Sequence, residues 1–173
     1  MLNEKQIQAN AHALRFTLLL ERFVQSNIYS DFTCFLKTDW SNARRSSRGG
    51  VYKNGPGINI AMSSAALIYH NPVDVYRFYE YPSYDSNSII GGFYAKDYLI
   101  KLEAIIAHEV AHAVQFFEYK KLNTRCKPHG PIFKKYYTLL RKEFINHKLA
   151  DQNPLKQQYE DSLRKFYINS YKL

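Results

Sequence analysis

The chain has 173 residues, room for one well-formed hydrophobic core but not for two ordinary domains, and 46% hydrophobic with 23% charged residues excludes wholesale disorder. Its net charge of +9 is uneven: residues 1–100 carry 10 Lys/Arg against 8 Asp/Glu, whereas residues 101–173 carry 14 against 7, which marks either a surface for a polyanion or a solvated lysine-rich face. Cys34 and Cys126 are its only cysteines, so this sequence holds no four-cysteine zinc ribbon, and a reducing compartment fits.

The N-terminal stretch MLNEKQIQANAHALRF lacks the basic flank and apolar run of a signal peptide, and no run approaches membrane-spanning length. A soluble protein is expected, without membrane association, in the cytoplasm or at the nucleoid. The abundance of Lys, Asn, Ile and Tyr fits an AT-rich genome, bacterial or viral, and for a phage protein the location is the host cytoplasm. Residues 3–26 read as a helix with Ile7, Ala11, Leu14, Leu18 and Phe23 as its apolar stripe and Asn27 near its end. DFTCFLKT (31–38) reads as a strand. In ARRSSRGGVYKNGPGINIAMS (43–63) the NGPG turn separates two extended runs, as in a hairpin. Ser63 is positioned to cap a helix over SAALIYH, which Pro72 interrupts.

Residues 72–95 form a tyrosine-rich insertion with a short helix expected over VDVYRFYEY. A long helix from Lys96 to Lys121 follows, then the loop LNTRCKPHG. The next helix, PIFKKYYTLLRKEFINHK, starts with Pro131 at its favoured first position, and PLKQQYEDSLRKFYINSY reads as a last helix. One domain over 1–150 with a helical tail over 151–173 is the expected organisation, as a monomer.

The long helix contains AHEVAH, residues 107–112. Residues four apart point the same way from a helix, so His108 and His112 can share one metal ion. Glu109 beside them can hold a metal-bound water, take its proton during attack on a carbonyl, and deliver it to the leaving amine. Leu102, Ile106, Val110, Val114 and Phe117 supply an apolar stripe on another side. The competing interpretation is a pair of ordinary helix histidines. Zinc needs a third protein ligand and a position left open for water. His129 starts the next helix and precedes Gly130, which permits a tight approach; Cys126, Glu143 and His147 are the rivals. Gln115 stands where a metzincin has glycine. His12 and His70 read as ordinary structural histidines.

HEVAH followed after a loop by HGPIF resembles the SprT/Spartan-type metalloprotease family, and RRSSRGGVYKNGPGINIAMS is similar to that family's basic, glycine-containing strand leading to an apolar strand ending near Ser. The resemblance spans residues 31–145. It departs from the family in the long span from Ser63 to His108, in the absence of a zinc ribbon or regulatory tail, and in the wording of the basic strand. The resemblance implies an α+β, zincin-like fold with a short antiparallel sheet packed on an active-site helix and further helices. It also implies one zinc ion on His108, His112 and His129, with Glu109 as general base, and proteolysis of proteins bound or crosslinked to DNA.

Two basic groups would meet DNA of either strandedness without sequence preference: Arg44, Arg45, Arg48 and Lys53 on the hairpin, and Lys120, Lys121, Arg125, Lys127, Lys134, Lys135, Arg141 and Lys142 near the metal. Trp40, Tyr79, Tyr81 and Tyr84 have the rings to stack on unpaired bases, though each alone reads better as packing. The alternatives to a DNA-coupled peptidase are a DNA-binding module with a structural or absent metal, and a peptidase of host or viral proteins without DNA dependence.

Overall fold

The computed structural model describes residues 3–41, 48–51, 58–63, 75–80, 88–122 and 127–170. The first helix, α1 (Glu4–Asn27), is opened by a capping box: Asn3 Oδ1 accepts from the Gln6 amide at 3.0 Å and Gln6 Oε1 accepts from the Asn3 amide at 2.9 Å. These two bonds satisfy donors that a helix start otherwise leaves bare. The face it buries is Gln6, Ala9, Ala13, Phe16, Thr17, Leu20 and Val24. The expected stripe is wrong in phase, because Ile7, Leu14 and Leu18 are 56%, 51% and 44% exposed. This helix carries two apolar stripes, and the one with alanines at 9 and 13 lets its backbone come close to the central helix.

Three strands follow, β1 (Leu36–Ser41), β2 (Arg48–Val51) and β3 (Ile58–Ser63). The β2–β3 hairpin is antiparallel as expected, with Arg48 opposite Ala61 and Val51 opposite Ile58. β1 begins five residues after the expected start and pairs parallel with β3, Leu36 opposite Ile58 through Ser41 opposite Ser63, so β3 is central. SAALIYH and the tyrosines at 81 and 84 lie outside the described residues. VDVYRFYEY does not form the expected helix over its described part: β4 (Tyr76–Phe78) pairs antiparallel with β5 (Phe93–Ala95). Within the strand Arg77 is exposed while Phe78 is buried, and the Phe78 ring stacks at 5.0 Å on its cross-strand partner Phe93. Gly92 permits the pairing, because a Cβ there would lie 2.9 Å from the Phe78 carbonyl oxygen.

The central helix α2 (Tyr98–Leu122) packs against α1, β2, β3, β4 and β5 and the helix after it, and every residue from Leu102 to Gln115 is buried. Its apolar stripe is as expected, but the histidine side is covered as well. Then come α3 (Pro131–Phe144), a 3-10 turn (Asn146–Lys148) and α4 (Gln152–Ser170). The helix expected through Lys148 thus breaks at Ile145, whose amide still reaches the Arg141 carbonyl. Phe144 meets Phe16 and Phe23 edge-on at 6.2 and 5.1 Å, locking α3 to α1. α4 docks on β5: the Tyr94 amide donates to Gln152 Oε1 at 2.6 Å, Leu155 is buried, and the Tyr94 and Tyr159 rings stand 5.5 Å apart. The architecture is α+β, with four helices and two small sheets among the described residues. Among them, no helix is long and apolar enough to cross a membrane.

Candidate metal centre

His108 and His112 lie one turn apart on α2 with ring centroids 5.0 Å apart. His129 meets them from the loop before α3. It stands at φ 55°, in the left-handed region that a non-glycine residue enters at about 1–2 kcal/mol. Gly130 makes the following turn possible, since a Cβ there would lie 2.9 Å from the Lys127 carbonyl oxygen. Phe133, one turn into α3, stacks on His112 at 4.2 Å and floors all three imidazoles. Among the described residues these three histidines form the one cluster able to hold a metal, their ligand atoms within 4.8 Å of one another. Of the rival ligands, Glu143 and His147 are exposed and outside the cluster; Cys126 lies outside the described residues.

Gln115 fixes the chemistry of His112. Its amide nitrogen donates to the Lys127 carbonyl at 3.0 Å, so the atom it turns towards His112 Nδ1, 3.1 Å away, is its oxygen. Nδ1 must therefore carry the proton, and Nε2 presents a lone pair. The Glu80 carboxylate, 3.7 Å from His108 Nδ1, favours the same tautomer there. His129 Nε2 lies 2.9 Å from Nε2 of His112 and 3.3 Å from Nε2 of His108. Lone pairs aimed into one point repel unless a cation lies between them. Tetrahedral zinc, with bonds of about 2.1 Å, sets its ligand nitrogens about 3.4 Å apart, so this donor set fits zinc.

Electrostatics agree with that role. Burial pushes His112 down to about 4, helped by the charges of His108 and His129 and opposed by the bond to Gln115. Burial and His108 likewise hold His129 below its ordinary value, against Glu80. Neutral imidazole is the form that binds metal. Glu109, 7% exposed, is raised to about 7, chiefly by burial and with help from Glu80, while His108 works the other way. A carboxylate near neutrality is suited to exchanging protons with water.

The model of the SprT-like family matches residues 94–156. Over this stretch the chain is similar to the SprT-like family. No curated protein and no solved structure matches. The matched SprT-like stretch runs from β5 through α2 and α3 into α4, carrying Glu109 and all three histidines, and it fits a metallopeptidase-type domain.

The basic residues divide. Lys120, Lys127, Lys134, Lys135 and Lys142 are exposed on α2, the loop and α3. Arg44, Arg45, Lys53 and Arg125 lie outside the described residues, and Arg48 and Lys121 are placed by their backbones on β2 and α2. Arg141 is a correction: it is 2% exposed, so it offers DNA nothing. Its Nε donates to Asn146 Oδ1 at 3.0 Å, Nη1 to the Tyr137 hydroxyl at 3.1 Å and Nη2 to the Gly91 carbonyl at 3.2 Å. His12 does have a structural role, 3.0 Å from the buried Glu103, which Lys148 also reaches at 2.7 Å. The sequence reading missed Glu80 and Gln115. Gln115 was visible only as the residue that is not the metzincin glycine, and Glu80 sits in a tyrosine-rich segment with no spacing to mark it.

Proposed function

We propose that this chain is a zinc-dependent endopeptidase that cleaves proteins bound or crosslinked to DNA. The observation that carries the reading is the gathering of ring nitrogens of three histidines within 4.8 Å of one another, that of His112 with its tautomer set by Gln115, beside the buried carboxylate of Glu109. His108, His112 and His129 would hold one zinc ion. A bound zinc supplies Lewis-acid polarisation of the scissile carbonyl and makes water acidic enough to act at neutral pH. Glu109 takes a proton from the attacking water onto its carboxylate and passes it to the leaving amine nitrogen. The covered walls of α2 and the Phe133 ring keep competing water from the histidines and strengthen every charge interaction there.

Support for the DNA partner is the +7 balance of residues 101–173 and the exposed lysines 120, 127, 134, 135 and 142. Phosphate neutralisation by such side chains gives affinity that falls steeply with salt and depends little on sequence. The deciding experiment is cleavage of a basic DNA-binding protein by zinc-loaded protein, with and without single-stranded DNA, against Glu109→Gln. Wild-type cleavage stimulated by DNA, and lowered by roughly 100- to 10,000-fold in the variant, is expected. Equal cleavage by the variant sinks the assignment of Glu109, and cleavage indifferent to DNA leaves a peptidase with another partner. Zinc bound with no cleavage in any condition favours a binding module.

A further inference from the structure

Glu80 follows β4 and lies outside the stretch that the SprT-like family matches. Its side chain is 3% exposed, a rare state for a glutamate unless a cation and hydrogen bonds compensate it. Both are present. The Tyr137 hydroxyl donates to Glu80 Oε1, Arg141 Nη1 donates to that same hydroxyl, and the guanidinium stands 3.9 Å from Oε1. The donors therefore run in one direction, from Arg141 to Tyr137 to Glu80, and the carboxylate keeps capacity for one more donor. The nearest ring nitrogen is His108 Nδ1, at 3.7 Å. Nε2 of that ring is the atom turned towards His129 and the metal position.

We propose that Glu80 is the positioning carboxylate of His108, holding the Nδ1 proton so that Nε2 faces the metal, with Tyr137 and Arg141 anchoring the carboxylate from behind. Rings that ligate metals commonly give their second N–H to a carboxylate, which fixes tautomer and orientation and strengthens the ligand. The tyrosine-rich segment is then part of the metal centre rather than an ornament on its surface. Gly92 contributes at one remove: the Cβ it lacks would lie 2.9 Å from the Phe78 carbonyl oxygen, so its smallness lets β4, which Glu80 follows, lie down on β5. Gln115 plays the matching part for His112, so both α2 histidines are aimed by a partner at Nδ1.

This inference rests on the reading of the three histidines as a zinc site, and its test separates the two. Zinc affinity is measured by competition with a chromophoric chelator on the full chain, for wild type, Glu80→Gln, Tyr137→Phe and Glu103→Gln. Glu103 is a comparably buried glutamate on α2, paired with His12 and Lys148 away from His108, His112 and His129, and controls for general loss of stability. Glu80→Gln keeps the shape and is expected to weaken zinc by roughly 10-fold or more, with a smaller loss for Tyr137→Phe and none for Glu103→Gln. Imidazole 15N shifts of the zinc-free proteins give a second readout, with the Nδ1–H form of His108 populated in wild type and depleted in Glu80→Gln. Wild-type zinc affinity and an unchanged tautomer in folded Glu80→Gln, or an equal loss in Glu103→Gln, overturns the role of Glu80 alone. Should Glu80→Gln not fold, Tyr137→Phe decides: it keeps the ring packing and must still lose affinity. A wild-type chain that binds no zinc overturns the metal reading, and the role of Glu80 with it.

Discussion

Replacing Arg141 by methionine keeps most of the aliphatic stem that packs beside Phe93 and Phe78, whose ring centres lie 4.9 and 5.9 Å from the guanidinium, and removes only the charge and its donors. Three acceptors lose a partner: Asn146 Oδ1, the Tyr137 hydroxyl and the Gly91 carbonyl. The larger effect falls on Glu80, whose carboxylate stays buried with its counter-charge at 3.9 Å gone. Breaking such a buried pair from one side costs about 3–5 kcal/mol, a large share of the roughly 5–15 kcal/mol that holds a domain together. At a urea slope of about 2 kcal/mol/M the midpoint falls by about 2 M. Urea titration of Arg141→Met and Lys134→Met, followed by circular dichroism, checks this. Lys134 is exposed, and its loss is expected to move stability by no more than about 0.5 kcal/mol. A midpoint for Arg141→Met within about 0.5 M of wild type would refute the idea that Glu80 depends on this guanidinium.

Gln115→Leu leaves His112 Nδ1 without its acceptor, and zinc affinity by chelator competition is expected to fall roughly 10- to 100-fold while the fold persists. Burial opposes the ionised form of Glu103, but hydrogen bonds from His12 and Lys148 outweigh it and hold this carboxyl below the ordinary value of 4.5. Its contribution to stability is thus fully present above about pH 4.5 and lost as pH falls through the lower folded value. Urea midpoints from pH 7 down to pH 3 should show wild type losing its advantage over Glu103→Gln in that window, and a constant difference contradicts the linkage. Burial pushes the Cys34 thiol up to about 12, with Glu21 adding to the effect, so its reaction with a thiol reagent at pH 8 should be slow until urea unfolds the chain.

What the sequence disclosed was set by local rules. The spacing of His108 and His112, the proline opening α3 and the two extended runs that pair as β2 and β3 are each signalled within a few residues, and the structure has all three. His129 was legible because Gly130 and Pro131 confine the chain beside it. The phase of α1 was not: Ile7, Leu14 and Leu18 make as good a stripe as Ala9, Ala13 and Leu20, and only the close approach to α2 chooses between them. β1 pairs parallel to β3 for a similarly distant reason, since β2 lies between the two partners in the sequence. Arg141 sat among lysines on a basic helix, and nothing nearby in sequence revealed the carboxylate that draws it inward. Glu80 and Arg141 are each other's explanation, and they lie far apart in the sequence.

Because α2 is enclosed over the whole run from Leu102 to Gln115, the histidines and Glu109 sit where the chain has least freedom to open. Backbone amides in such a segment exchange with solvent only when the entire domain comes apart, whereas helix ends and loops open at far smaller free energy. Two of the three proposed zinc ligands therefore share the fate of the slowest-exchanging amides, and His129, reaching in from its loop, belongs to the faster class. In deuterated buffer the zinc-free protein should show α2 protected to the last and the loop before α3 exchanging early. Weakening of this centre by heat or denaturant would then begin at His129, with His108 and His112 still in place on their helix.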